Sequence, residues 1–117
     1  GEGGVIVGAP LAGRVVVVDD VITAGTSVRE SVELIRGAGA TPAAVLIALD
    51  RMERAGPDDA LSGRSAVQEV ESQFSLPVLA IANLDDVMQF LAADSAQAQQ
   101  VRTFRPAVER YRERYGA

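Results

Sequence analysis

The 117-residue sequence contains no cysteine, no histidine and no lysine. Without cysteine there are no disulfides, no thiolate-ligated metals and no thiol nucleophile. Without histidine the chain lacks the side chain most often used as a general base near neutral pH. All 11 basic residues are arginine, and 16 acidic residues bring the formal net charge to −5. That balance argues against nucleic acid or an acidic membrane as the main partner. It does not exclude small anionic ligands, because a helix N-terminus and an arginine can make a local positive field. No apolar run approaches the ~20 residues that span a bilayer, and no signal peptide is visible. A cytoplasmic location is therefore expected. The opening Gly1-Glu2-Gly3-Gly4, without Met, points to a cut or processed end.

What is present suits one soluble domain with a real but modest core: 48% hydrophobic and 23% charged residues. The chain is organised around Val15 to Ser27. Four consecutive valines, Val15 to Val18, read as a strand buried on both faces, as in a parallel sheet. Asp19 and Asp20 follow where such a strand leaves the core, then Val21 and Ile22. Next comes the small, hydroxyl-rich turn Thr23-Ala24-Gly25-Thr26-Ser27. Val28, Val32 and Ile35, with Leu34 beside them, then take up helical spacing. Strand, acidic pair, small loop and helix together make a phosphate-site architecture. Gly25 allows close backbone approach, and the unpaired amides of the helix start point at an anion. Thr23, Thr26 and Ser27 add hydroxyl donors. A valine at position 25 is expected to abolish nucleotide binding with little loss of fold. The plainer reading is a buried strand ended by an Asx-type turn and a helix cap.

Along the rest of the chain, Gly1 to Gly4 reads as flexible and Val5-Ile6-Val7 as a short strand ended by Gly8-Ala9-Pro10. A strand is expected over Arg14 to Asp19 and a helix over Thr26 to Ala38, stopped by Gly37 and Gly39. Ala43 to Leu49 is a second strand, ending at Asp50-Arg51. A strand–helix–strand unit with tight turns makes the two strands parallel. Asp19, Asp20, Asp50 and Arg51 then share the carboxyl edge of the sheet, where open α/β folds bind ligands. Met52 to Arg64 is a polar connection. Ser65 and Gln68 form a capping box before a helix with Val67, Val70 and Phe74 on one face. Val78 to Ala82 is a third strand. Leu84, Val87, Met88 and Leu91 mark a helix capped by Asn83 or Asp85. In the tail, Val101, Phe104, Val108, Tyr111 and Tyr115 share a face and read as core packing, with Pro106 splitting or kinking the helix.

The acidic pair requires its own explanation, since carboxylates repel phosphate. It fits a ligand that also carries a diol or a metal. A ribose 5-phosphate meets that need, with phosphate on the loop, ribose hydroxyls on Asp19 and Asp20, and Mg²⁺ nearby. The stretch Asp-Asp-Val-Ile-Thr-Ala-Gly-Thr resembles the phosphoribosyl-pyrophosphate (PRPP) motif of type I phosphoribosyltransferases, most of all the orotate phosphoribosyltransferase version. Leu49-Asp50-Arg51-Met52-Glu53-Arg54 and the later Ser65 to Glu71 are similar to segments of the same family. Taken alone, Arg51 reads as a surface arginine paired with Glu53.

The resemblance implies an α/β fold with a partly parallel sheet flanked by helices. It implies transfer of the phosphoribosyl group of PRPP to orotate, giving orotidine 5′-monophosphate and pyrophosphate in pyrimidine biosynthesis. Residues 19–27 would bind PRPP, and Thr23 and Arg51 would contact orotate. A guanidinium suits a planar carboxylate because it donates two parallel hydrogen bonds. Mg²⁺ is the implied cofactor, with Asp20 the better candidate to face ribose or to reach the metal indirectly, and a homodimer is the implied assembly. The family's catalytic loop, rich in lysine and carrying a histidine, has no counterpart in residues 1–117. Those residues therefore read as the C-terminal portion of a single domain, with little activity alone. Other readings are a purine or uracil phosphoribosyltransferase, a non-catalytic PRPP-binding regulator, or a plain α/β interaction module.

Overall fold

The computed structural model describes residues 6–117. Gly1 to Gly4 and Val5 lie outside the described residues. Ile6 and Val7 are irregular, so the short strand expected there is absent over these two.

Three strands, β1 (Arg14–Asp19), β2 (Thr41–Asp50) and β3 (Val78–Asn83), form a parallel sheet in the order β1-β2-β3. Helix α1 (Thr26–Gly37) connects β1 to β2, and α2 (Ala66–Phe74) precedes β3. The core lies on one face of this sheet. Val28, Val32 and Ile35 of α1 and Ala66 and Val70 of α2 are buried in one cluster with Val17, Val45 and Ile47. Ile22, from the loop after β1, is buried in the same cluster and ties that loop to the core.

The four-valine strand is covered on one face, not two. Val17 is buried, whereas Val16 and Val18 are 49% and 72% exposed; Leu79 and Ile81 of β3, at 58% and 78%, are bare as well. The run lacks alternation in sequence because its composition suits cover on both sides. Among the described residues only one side receives it.

Strand β2 is longer than its apolar run. Its start carries Pro42 inside the strand, at a register shift between Val15 and Val16. The shift leaves Ala43 unpaired, an irregularity of the kind that accommodates a residue with no N–H to donate. Ser65 and Gln68 form the reciprocal capping box of α2. Asn83 caps α3 (Leu84–Ala92) through Asp86, which settles the choice between Asn83 and Asp85.

The tail folds as α4 (Ala96–Val101), a 3-10 turn (Arg102–Phe104) and α5 (Arg105–Tyr115). Pro106 stands in the first turn of α5, where its missing N–H costs nothing. The apolar stripe of the tail does not join the core as expected. No residue of α5 is buried, and Phe104 and Tyr111 are exposed. Instead α5 lies along α3, with Arg112 reaching Asp85 at 2.6 Å, and turns its two tyrosines toward residues 53–58. Among the described residues, no helix is long and apolar enough to cross a membrane.

Candidate functional site

Parallel pairing of β1 and β2 puts Asp19 and Asp50 at the same edge of the sheet. The chain leaves β1 still tied to β2, because the Asp20 carbonyl accepts from the Ala48 and Leu49 amides at 2.9 and 3.1 Å. Asp19 spends both carboxylate oxygens locally. Its Oδ1 accepts from the Asp20 amide at 2.9 Å, and its Oδ2 accepts from the Ser27 hydroxyl at 2.6 Å. The Ser27 bond, helped by the Asp20 amide, holds the Asp19 carboxyl below the usual carboxylate range; the slight burial opposes this without reversing it. Asp20 Oδ1 accepts from the Val21 amide at 2.7 Å. No hydrogen bond among the described residues occupies its other oxygen.

Gly25 precedes α1 in the left-handed region, at φ 71°. The start of α1 has no side-chain cap and no acidic residue in its first turn, unlike α2 and α3, which have both. Its first amides are thus the donors left open beside the loop hydroxyls. Gly25 is also a packing position. A Cβ there would meet Val70 Cγ2 at 2.9 Å. The expectation that a valine at 25 leaves the fold nearly intact is therefore corrected: both backbone and core oppose it.

After β2 the chain turns sharply. Asp50 Oδ1 accepts from the Met52 amide at 2.8 Å, and Met52 itself sits at φ 52°. A left-handed non-glycine residue costs about 1–2 kcal/mol and marks a bend that the surroundings enforce. Arg51 Nε lies 3.3 Å from Glu53 Oε1 but is not aligned for a hydrogen bond, and this buried nitrogen has no other partner. Glu53 Oε1 accepts a 2.6 Å hydrogen bond from the Tyr111 hydroxyl. That bond, with burial and the charge of Glu53, raises the Tyr111 pKa above its ordinary value, so the hydroxyl stays a donor.

The same segment is fastened by main chain. The Arg54 amide donates to Tyr115 O at 2.8 Å, the Ala117 amide to Met52 O at 2.9 Å, and the Ala66 amide to Glu53 O at 2.9 Å. Arg54 Nη2 adds a bond to Arg114 O at 2.7 Å. Tyr111 and Tyr115 pack on each other with ring centroids 4.8 Å apart, and the Tyr115 hydroxyl reaches Asp58.

Between loop and bend lies a half-open cavity of about 410 Å³, lined by Thr23, Ala24, Arg51, Glu53, Arg54, Gly56, Pro57 and Ala66. The cavity brings together Thr23, Ala24 and Arg51, which the sequence had placed on separate segments. Asp19, Asp20, Val21, Ile22, Gly25, Thr26 and Ser27 do not line it; they lie on the end of β1, the loop and the start of α1. Sequence reasoning paired Glu53 with Arg51 but gave it no role in a site, and it read Tyr111 as packing. Nothing in the sequence links Tyr111 to Glu53 across 58 positions.

Among the described residues no group of three or more carboxylates converges on a metal position. Two adjacent carboxylates, one with a free oxygen, suit a Mg²⁺ held mainly by water and ligand phosphates rather than by a protein cage.

A sequence profile described as "Phosphoribosyl transferase domain" matches residues 9–78. The chain is 65% identical over 116 residues to the orotate phosphoribosyltransferase of Bordetella avium, covering 99% of this chain and 51% of the relative. It is 64% identical over 119 residues to that of Herminiimonas arsenicoxydans, covering 99% and 52%. The chain thus spans about half the length of the curated relatives it matches. Among solved structures, the orotate phosphoribosyltransferase of Francisella tularensis superposes with a TM-score of 0.68 at 30% identity, covering 89% of this chain and 47% of that one.

Proposed function

The chain belongs to the phosphoribosyl transferase domain family, and on that premise we propose that it carries the PRPP- and orotate-binding part of an orotate phosphoribosyltransferase. The observation that carries the reading is the cavity in which Thr23 and Ala24 of the loop share walls with Arg51. A ligand with a ribose phosphate at one end and a planar carboxylate at the other needs that pairing of elements.

In this reading the open amides of α1, with the Thr26 hydroxyl, hold the 5′-phosphate of PRPP over Ala24 to Ser27, the Ser27 hydroxyl being spent on Asp19. Asp20, with one oxygen free, faces the ribose hydroxyls, while Asp19 braces the loop through Ser27. Arg51 and Thr23 take orotate. The reaction displaces pyrophosphate from C1 of the ribose by N1 of orotate. Positioning of the two ligands by these groups supplies much of the rate, since the chemistry needs alignment more than covalent help. Asp20 would hold a Mg²⁺ indirectly, through water or the ligand, and that ion would supply charge neutralisation for the pyrophosphate.

Residues 1–117 contribute the C-terminal portion of the domain, and the bare faces of Val16, Val18, Leu79 and Ile81 support further cover in the whole protein. That protein is proposed to be a cytoplasmic homodimer. With no lysine or histidine of its own, this part is expected to need further cationic groups for full turnover.

A ligand panel tests the reading. The full protein should bind orotidine 5′-monophosphate well ahead of any purine nucleotide and should form it from PRPP and orotate. Preference for a purine nucleotide would assign the site to another member of the family. Binding without turnover by the full protein would make it a regulator.

A further inference from the structure

Arg51 has one charged neighbour, Glu53, 3.3 Å from its Nε, and Glu53 is in turn held by Tyr111, 58 positions along the chain. We infer that Glu53 and Tyr111 are positioning residues for Arg51, and that helix α5 sets the affinity of the site for orotate through them. The inference rests on the proposal that Arg51 binds orotate.

The geometry explains how. Glu53 approaches the guanidinium from its Nε side, at 3.3 Å. The two terminal nitrogens form another edge, away from Glu53, that can take a planar carboxylate as a fork. A glutamate left to itself beside Arg51 has rotamers that would bring it across that edge and compete with the ligand. The Tyr111 hydroxyl removes this freedom by fixing Glu53 Oε1 at 2.6 Å.

Three further bonds hold the α5 end and residues 52–54 in one frame: Arg54 amide to Tyr115 O, Arg54 Nη2 to Arg114 O, and Ala117 amide to Met52 O. The left-handed Met52, between Arg51 and Glu53, fixes how the two side chains are splayed. Tyr111 does not line the cavity itself, so it acts on a ligand only through Glu53 and Arg51.

The test is made in the full protein, with separate KM values for orotate and PRPP. Tyr111→Phe keeps the ring that packs on Tyr115 and removes only the hydroxyl. It should raise the orotate KM about fivefold, the weight of one hydrogen bond, with the PRPP KM unchanged. Glu53→Gln, which still accepts from Tyr111 but has no charge, should also shift orotate alone.

The deciding arm is Tyr111→Phe in an Arg51→Ala background. If Tyr111 acts through Arg51, its fivefold effect disappears there. An equal rise in both KM values, or an effect that persists without Arg51, would overturn the inference and leave Tyr111 as packing. Arg51→Ala with unchanged orotate KM would instead remove the premise, and the inference would fall with it. A thermal melt of each variant separates these outcomes from loss of fold.

Discussion

Ser27 donates to Asp19 across 2.6 Å, so the first turn of α1 is clasped to the last residue of β1. Two residues eight positions apart are closed into a ring by one side-chain bond. The clasp leaves Asp20 as the carboxylate with an oxygen to spare, and it divides the acidic pair into a brace and a free ligand.

The clasp has a pH signature. Asp19 has a folded pKa below its ordinary value, so its contribution to stability is present above the unfolded pKa. That contribution is lost as pH falls through the folded pKa. Ser27→Ala should raise the Asp19 carboxyl toward its ordinary value, with the Asp20 amide still lowering it. An NMR titration of the Asp19 side chain checks this, and an unmoved midpoint would show that Ser27 is not the cause.

Asp20→Asn should weaken PRPP binding at least about tenfold, the weight of a charge-assisted hydrogen bond. Orotate binding should change much less. Calorimetric titration with each ligand separates the two; matched losses would count against placing Asp20 at the ribose.

Gly25→Ala should destabilise the fold by roughly 2–3 kcal/mol, combining left-handed strain with overpacking against Val70. Shortening the neighbour should relieve only the second part. Denaturant melts of Gly25→Ala, Val70→Ala and the double variant should therefore give a favourable coupling between the two sites. Strict additivity would mean that the contact is not felt.

Arg51→Lys keeps a positive charge but loses the fork. It should raise the orotate KM by about tenfold or more while leaving the PRPP KM in place. An unchanged orotate KM would show that charge alone is needed at this position.

Much of the loop was legible because its information is local. Val15 to Ser27 state a strand, an exit and a helix start within 13 consecutive positions, and the structure follows them closely. The capping residues Ser65 and Asn83 were legible for the same reason. What the sequence hid depends on distant partners. Four valines show that a strand is apolar, but not that Val16 and Val18 face open space. The spacing of Tyr111 and Tyr115 states a helix face, but not that their hydroxyls meet Glu53 and Asp58. Gly25 was read as a gap for a ligand, while its closest neighbour is Val70, 45 positions on.

The tail meets the bend through main-chain bonds, Arg54 amide to Tyr115 O and Ala117 amide to Met52 O. Main-chain pairing is indifferent to side-chain identity, so position 117 has latitude to drift over evolutionary time, whereas at Gly116 a Cβ would meet Arg112 O at 2.5 Å. One residue type breaks that latitude. Proline at 54 or 117 has no N–H to give, and a single such substitution would unfasten the seam behind Arg51.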